Sequence, residues 1–310
     1  MIFENLSEIE ALAKAGDLAG LEALRGDRGQ SVRYRPPFIR SALMVSAHKV
    51  RHLNKLDELE ADIAVINLED GVAPPLKPLA LRLAGLFLSR LKKIRSMTVV
   101  RINPLQEGGS EEIAYLNEIL PDAIRIPKIE NVEDVQKALR LIDPRIEVHL
   151  SIETAGAWRN LSDLRPGDRV RAWYLGILDL TAALKLPPRI VKEGNPTTDA
   201  ILSRFLLEAS AAGVLPLSFV YQDYKDLEGF ASWCRYEREM GFHAKGCISP
   251  AQVAIAHRIF TPSEVELEWA EKVIALFESN EKESGFVDEE LGFVDEPIYK
   301  QAKALLKMGE

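Results

Sequence analysis

Five ionisable residues stand just after short apolar runs at nearly even intervals: Glu69 after IAVINL, Arg101 after TVV, Lys128 after AIRIP, Glu153 after VHLSI and Asp179 after WYLGIL. Their separations of 32, 27, 25 and 26 residues suit one strand, one helix and two loops, because a βαβ unit takes roughly 30 residues. In a β/α barrel every parallel strand delivers its end to the same rim, so these charges are expected to converge on one mouth.

Two of the five, Glu153 and Asp179, are the best candidates for metal ligands. A hard divalent ion such as Mg²⁺ takes one or two carboxylates and keeps open positions for water and substrate oxygens; Mn²⁺ accepts the same donors. Such an ion stabilises an enolate oxygen, so a carbon–carbon bond beside a carbonyl can break or form. The competing reading makes both residues helix caps at the junctions SIETAG and ILDLTAA. Arg101 suits a bidentate grip on a substrate carboxylate, or a salt bridge to Glu69 or Asp70. That acidic pair can hold metal-bound waters or a base, while Asp70 can equally serve the turn before Gly71. Lys128 can bind an anion or balance Glu130 and Glu153. A Schiff-base role would need a desolvated lysine, which a rim of carboxylates opposes. The histidines at 48, 52, 149, 243 and 257 show no ligand spacing; His48 lies close enough to the first strand to reach the rim.

Elements able to position these groups follow from the apolar pattern. One or two helices within 4–25 precede ALMVS (42–46), and a helix near 49–60 leads to IAVINL (63–68). The pattern continues with a helix near 79–93, MTVVRI, a helix near 110–119, DAIRIP, a helix capped by Asn131, and a strand at 146–152. VRAWYLGI, a loop insertion PPRIVKEGNPTTD, a helix near 197–212, LPLSFV, a helix EGFASWCRYEREMG and AKGCI complete eight strands. Near-continuous apolar strands alternating with helices predict a parallel sheet covered on its outer face. The expected fold is α/β, a (β/α)8 TIM barrel over 38–258, with an N-terminal helical extension (1–37) and a C-terminal helical lid (259–310). GFVDE occurs at 285–289 and again at 292–296; two copies are too few for a solenoid, so the repeat is read as local.

Composition bounds the function. The net charge of −8 disfavours a nucleic-acid partner. No run approaches the ~18 apolar residues of a membrane helix. MIFENLSEIEALAKAGDLAG lacks the basic-then-apolar order of a secretory signal, so the expected location is cytoplasmic. Cys234 and Cys247 are read as reduced and structural. No Walker loop or GxGxxG supports phosphoryl transfer.

Several segments together resemble the HpcH/HpaI aldolase and citrate lyase β-subunit superfamily, especially its CitE-like branch. They are RSALMVS (40–46), INLEDGVAPPLK (66–77), VVRINP (99–104), RIPKIEN (125–131), SIETAGA (151–157), LGILDLTAAL (175–184), GFHAKGCISPAQV (241–253) and FTPSEVELEWA (260–270). The resemblance implies an Mg²⁺-dependent β/α barrel that cleaves or forms carbon–carbon bonds in 2-oxo acids or acyl-CoA thioesters. Carried over by motif, Glu153 and Asp179 hold the metal, Arg101 binds the substrate carboxylate, and Glu69 and Asp70 support the site. Arg40 in RSAL binds substrate or a CoA phosphate. FVDEP places Asp295 at the lid aspartate that completes a neighbouring subunit's site, which implies a homo-oligomer, a trimer by that resemblance. The chain departs from the family pattern at VSA (45–47) for VPG, ISP (248–250) for IHP, HAK (243–245) for DGK, and Leu178 for a glutamate. These changes fall where the family handles CoA, whereas the metal pair is kept. Two other readings remain at this stage: a CoA-independent aldolase on 2-oxo acids, which VSA and ISP favour, and a catalytically silent subunit of a larger complex.

Overall fold

The strand Ile63–Asn67 (β2) is buried at all five positions, and that burial explains why an unbroken apolar run, rather than an alternating one, makes a strand here. Parallel strands need crossovers, and the crossover helices cover the outer face. The computed structural model describes residues 3–26, 34–91, 95–279 and 285–309. Helices α1 (Leu6–Ala15) and α2 (Leu18–Ala23) precede β1 (Ser41–Ser46) and α3 (Val50–Leu53), and β2 is followed by α4 (Lys77–Ser89). Next come β3 (Met97–Arg101), α5 (Ser110–Ile119), β4 (Ala123–Ile126), α6 (Val132–Leu141), β5 (Glu147–Ile152), α7 (Ala155–Arg159), β6 (Val170–Leu175) and α8 (Ile177–Ala183). The repeat ends with α9 (Pro196–Ala212), β7 (Leu215–Leu217), α10 (Leu227–Met240), β8 (Lys245–Cys247) and α11 (Pro250–Phe260).

Among the described residues, eight parallel strands run in the order β7-β6-β5-β4-β3-β2-β1-β8. The two outermost meet through a single parallel bridge, Ser218 to Lys245, which closes the sheet into a (β/α)8 barrel. Side chains alternate between the two faces of each strand. Ala42, Ile63, Val65, Met97, Val99, Ala123, Ala172, Tyr174 and Leu217 form an apolar plug inside the barrel. Continuing the same parity toward the C-terminal ends aims Ser46, Asn67, Arg101, Arg125 and Glu153 into the cavity above the plug. Helix boundaries follow local chemistry: Asn131 accepts from Asp134 N at 3.0 Å, Thr154 from Ala157 N at 3.0 Å, and Ser249 from Gln252 N at 3.3 Å. Such caps satisfy otherwise orphaned first-turn N–H groups. The N-terminal helices sit on the barrel flank, with Phe3 edge-on to Phe87 of α4 at 6.4 Å and Arg90 donating to Leu24 O at 2.8 Å.

Several expectations are corrected in detail. The helix expected over 49–60 is only Val50–Leu53 followed by a 3-10 turn at Leu56–Glu58. The helix expected near 79–93 runs from Lys77 to Ser89, with Arg90 as its C-cap; residues 92 and 93 lie outside the described residues. VRAWYLGI does not continue as a strand past Leu175, because Gly176 turns the chain into α8. Helix α11 follows a strand of only three residues and was not anticipated. The GFVDE repeat is structural: Gly285–Asp288 (β9) and Gly292–Asp295 (β10) pair antiparallel, with Phe293 opposite Val287. This hairpin shares a small separate core with α12 (Glu264–Ser279) and α13 (Glu296–Gly309), built on Ala270, Val273, Val294 and Ala302. No described helix is long and apolar enough to cross a membrane.

Candidate active site at the barrel mouth

A cavity of about 490 Å³ opens at the C-terminal ends of the strands, lined among others by Ser46, Lys49, His52, Asn67, Asp70, Arg101, Arg125, Glu153 and Asp179. Arg101 is its buried hub. Its Nη2 contacts the Glu69 carboxylate and lies 3.2 Å from Asp70 Oδ2 and 3.5 Å from Glu153 Oε2. The loop after β3 is braced by Glu112, which accepts from Asn103 N at 2.7 Å and from its amide Nδ2 at 2.5 Å. Asn103 also donates to Leu68 O at 3.2 Å, tying the ends of β2 and β3 together.

Glu153 and Asp179 converge on one cation within the protein itself. Lys128 Nζ lies 2.8 Å from Asp179 Oδ1 and 3.7 Å from Glu153 Oε1, and Lys128 N donates to Glu153 Oε1 at 3.0 Å. Lys128 adopts φ +51°, a left-handed conformation that is costly for a residue with a side chain and is concentrated at functional sites. Neither acid caps a helix: Thr154 caps α7, and Asp179 lies in the first turn of α8, whose N-cap is Gly176. The two differ in access, since the Glu153 side chain is 2% exposed and that of Asp179 49%. A Cβ at Gly176 would come within 2.6 Å of Glu153 Cβ and 2.9 Å of its Oε2, so this glycine leaves the space in which the glutamate sits.

The electrostatics favour a further cation. Burial pushes the Glu69 carboxyl up to about 7; Arg101 opposes the shift, and the Glu153 and Asp70 carboxylates reinforce it. Four carboxylates thus crowd around Arg101 and Lys128, and the Lys128 ammonium already stands between the two carboxylates expected to bind metal. Among the described residues no cluster of three or more His, Cys, Asp or Glu forms a metal cage. A pair of carboxylates suffices for a hard ion that keeps its waters, so the residues present fit one.

Other expected site residues fall elsewhere. Arg40 is not at the mouth: it precedes β1, at the N-terminal end of the barrel. There its backbone N donates to Asp62 Oδ2 at 2.7 Å and its Nη2 to Oδ1 at 3.1 Å. That face of a barrel serves stability. Burial alone would push the Asp62 carboxyl up, but hydrogen bonds from His257 and Arg40 outweigh it and hold the group below its ordinary value. A depressed carboxylate stabilises the fold above its unfolded pKa, and that contribution fades as pH falls through the native one. Asp62→Asn is therefore expected to cost about 2 kcal/mol at pH 7. The loss should shrink toward pH 3 in acid-dependent thermal unfolding. Asp295 donates nothing to the cavity; it accepts from Ile298 N at 3.2 Å at the start of α13. His48 lies just outside the mouth, and His52 and Lys49 line it instead. Arg125, overlooked in the sequence, lines the cavity floor, with its guanidinium 4.1 Å from the Tyr174 ring centroid and its Nε donating to Ser151 at 2.8 Å. Burial, then the neighbouring Arg101, lowers its pKa to about 10. Its position two residues before Pro127, on the parity of Arg101 in the paired strand, was the available signal.

Comparison with known proteins agrees with this geometry. The family model for HpcH/HpaI aldolase/citrate lyase matches residues 40–250. A (3S)-malyl-CoA thioesterase of Cereibacter sphaeroides is 34% identical over 250 residues, covering 79% of this chain and 85% of that protein. The mitochondrial citramalyl-CoA lyase of Rattus norvegicus is 26% identical over 293 residues, covering 87% and 85%. The structure of CitE from Mycobacterium tuberculosis with magnesium, acetoacetate and coenzyme A superposes with a TM-score of 0.69 at 26% identity, covering 87% of this chain and 97% of that one. A barrel with its acids gathered at the strand ends, matched by the family model over two thirds of its length, makes this chain a member of the HpcH/HpaI aldolase/citrate lyase family.

Proposed function

We propose that this protein is an Mg²⁺- or Mn²⁺-dependent lyase that breaks or forms a carbon–carbon bond beside a carbonyl, acting on an acyl-CoA thioester or a 2-oxo acid. The observation that carries the reading is the convergence of Glu153 and Asp179 on a single ammonium inside the mouth. These two carboxylates would hold the metal, which supplies electrophilic stabilisation of negative charge developing on a carbonyl oxygen. Arg101 is pre-set by Glu69 and Asp70 and offers its remaining guanidinium edge to a substrate carboxylate. Lys128, on a flexible stem, binds the anionic end of the substrate. Arg125 and Tyr174 form the dry floor that keeps these charges strong.

The names of the relatives favour this chemistry and also raise a second reading, hydrolysis of a malyl-CoA thioester, because the 34%-identical relative is a thioesterase. Citramalyl-CoA, malyl-CoA and 4-hydroxy-2-oxo acids assayed with Mg²⁺ and after chelation separate the two. A lyase leaves the thioester intact in its acyl-CoA product, whereas a hydrolase releases the free CoA thiol. Unchanged turnover in the chelated enzyme would defeat both metal-dependent readings. Gly176→Ala, by displacing Glu153, is expected to weaken Mg²⁺ binding in titration calorimetry by about 10–100-fold, the range seen when the support of a metal ligand is disturbed.

We read the setting as cytoplasmic and the assembly as a homo-oligomer. The free, buried Cys234 and Cys247 suit a reducing compartment. Asp295, set apart from its own chain's cavity, is free to serve the mouth of a neighbour.

A further inference from the structure

The opposite end of the barrel holds a cavity of about 190 Å³ that shares no lining residue with the mouth. The stretch 35–39 ahead of β1 walls it together with the N-terminal parts of several strands, and its lining includes Phe38, Met97, His149, Arg171, Leu215 and His243. A water molecule takes roughly 30 Å³ in the liquid, so the space suits a small organic molecule better than a lone ion. Arg171 stands at this cavity because β6 carries one extra residue there. Val148 pairs with Val170 but His149 with Ala172, which leaves Arg171 in a bulge between the two pairs. A bulge breaks the ladder locally, re-aims a side chain and is rare between parallel strands, so strand pairing gains nothing from it. The charges around the cavity leave Arg171 unanswered. Arg35 donates to both oxygens of Glu147, at 2.6 and 3.4 Å, and that carboxylate feels Arg171 only at a distance. Among the described residues Arg171 itself makes no hydrogen bond or close ion pair. Burial lowers the pKa of both His149 and His243 and keeps the two imidazoles neutral. The His243 ring stacks on Phe38 at 5.2 Å. A guanidinium without a carboxylate partner beside an apolar wall is a seat for an organic anion, because its planar fork matches two carboxylate oxygens.

We infer that this cavity is a second ligand site, one that takes a small organic carboxylate whose charged end meets the Arg171 guanidinium and whose apolar body lies against Phe38, Met97 and Leu215. The ligand class follows from the lining. Phosphate spreads its charge over several oxygens and needs several donors, whereas this cavity offers one uncommitted fork and a largely apolar wall. The carboxylate of a compact apolar acid uses both. The assignment stands apart from the lyase reading, since none of these residues belongs to the mouth.

Titration calorimetry with benzoate, its neutral isostere benzamide and inorganic phosphate tests this on the intact chain and without any turnover. Wild type should bind benzoate more tightly than either control. Arg171→Gln is expected to weaken benzoate binding about tenfold, the scale of one charge-assisted contact, and Arg171→Glu should remove it. Because Arg171 bonds to nothing in the described fold, both variants should keep the wild-type thermal midpoint, so a loss of binding reports the contact and not the fold. Benzoate held at the mouth by Arg101 would bind Arg171→Gln as tightly as wild type, and that result overturns the assignment. So does a wild-type protein that takes no benzoate, or one that takes benzamide or phosphate equally well.

Discussion

Glu153→Gln is expected to lower kcat/KM by more than about 100-fold, since disturbing only the support of a ligand already costs roughly 10–100-fold. The substitution preserves shape, and the glutamine oxygen can still accept from Lys128 N, which lies 3.0 Å from Oε1 in the native protein. It removes the buried charge that faces Lys128 and Arg101. Mg²⁺ affinity should fall with activity. The thermal midpoint should move little, because Arg101 keeps its contacts with Glu69 and Asp70. Asp179→Asn should act in the same direction from the exposed side of the site. Steady-state kinetics over a range of Mg²⁺ concentrations separate a ligand, whose loss raises the metal requirement, from a residue that only packs. Turnover by Glu153→Gln equal to wild type would remove the metal assignment.

The largest stability effect is expected where the barrel closes. Lys245 of β8 and Glu237 of α10 are both fully buried, and their charged atoms are 2.6 Å apart. Ser218, at the bridge between β7 and β8, donates to the same carboxylate oxygen at 2.6 Å, and the Lys245 ammonium lies 3.9 Å from the Phe219 ring centroid. Glu237→Leu or Lys245→Met alone strands a charge in the interior and should cost about 3–5 kcal/mol in denaturant unfolding. The triple variant Ser218→Ala/Glu237→Leu/Lys245→Met should recover most of that loss. Glu237 Oε2 has no hydrogen-bond partner, so the native pair offsets its desolvation incompletely. A triple variant no more stable than either single one would show that the polar network itself holds the closure.

Glu153, Asp179 and Arg101 were legible as residues of the mouth because each ends an apolar run, and in a barrel a strand end has one destination. Arg40 shows the limit of that rule. It begins a strand instead of ending one, and the same parallel geometry that gathers strand ends at the mouth sends strand beginnings to the opposite face, onto Asp62. Arg125 lies inside an apolar run rather than after one, so the strand-end rule does not pick it out. Its burial becomes tolerable only with the Tyr174 face and Ser151 supplied by neighbouring strands. The GFVDE repeat had too little length to declare itself, since a two-stranded hairpin takes its meaning from what it packs on.

By itself the sequence determined the β/α alternation, the eightfold count and the set of acids and bases presented at one rim, because burial on both faces of a parallel strand and the length of a crossover are local demands. Only the tertiary structure decided which charges meet: that Lys128 stands between Glu153 and Asp179, that Glu69 and Asp70 hold Arg101, and that Lys245 finds Glu237 at the closure. Electrostatic pairing depends on distances across strands far apart in the chain, and strand parity, tilt and barrel closure set those distances together.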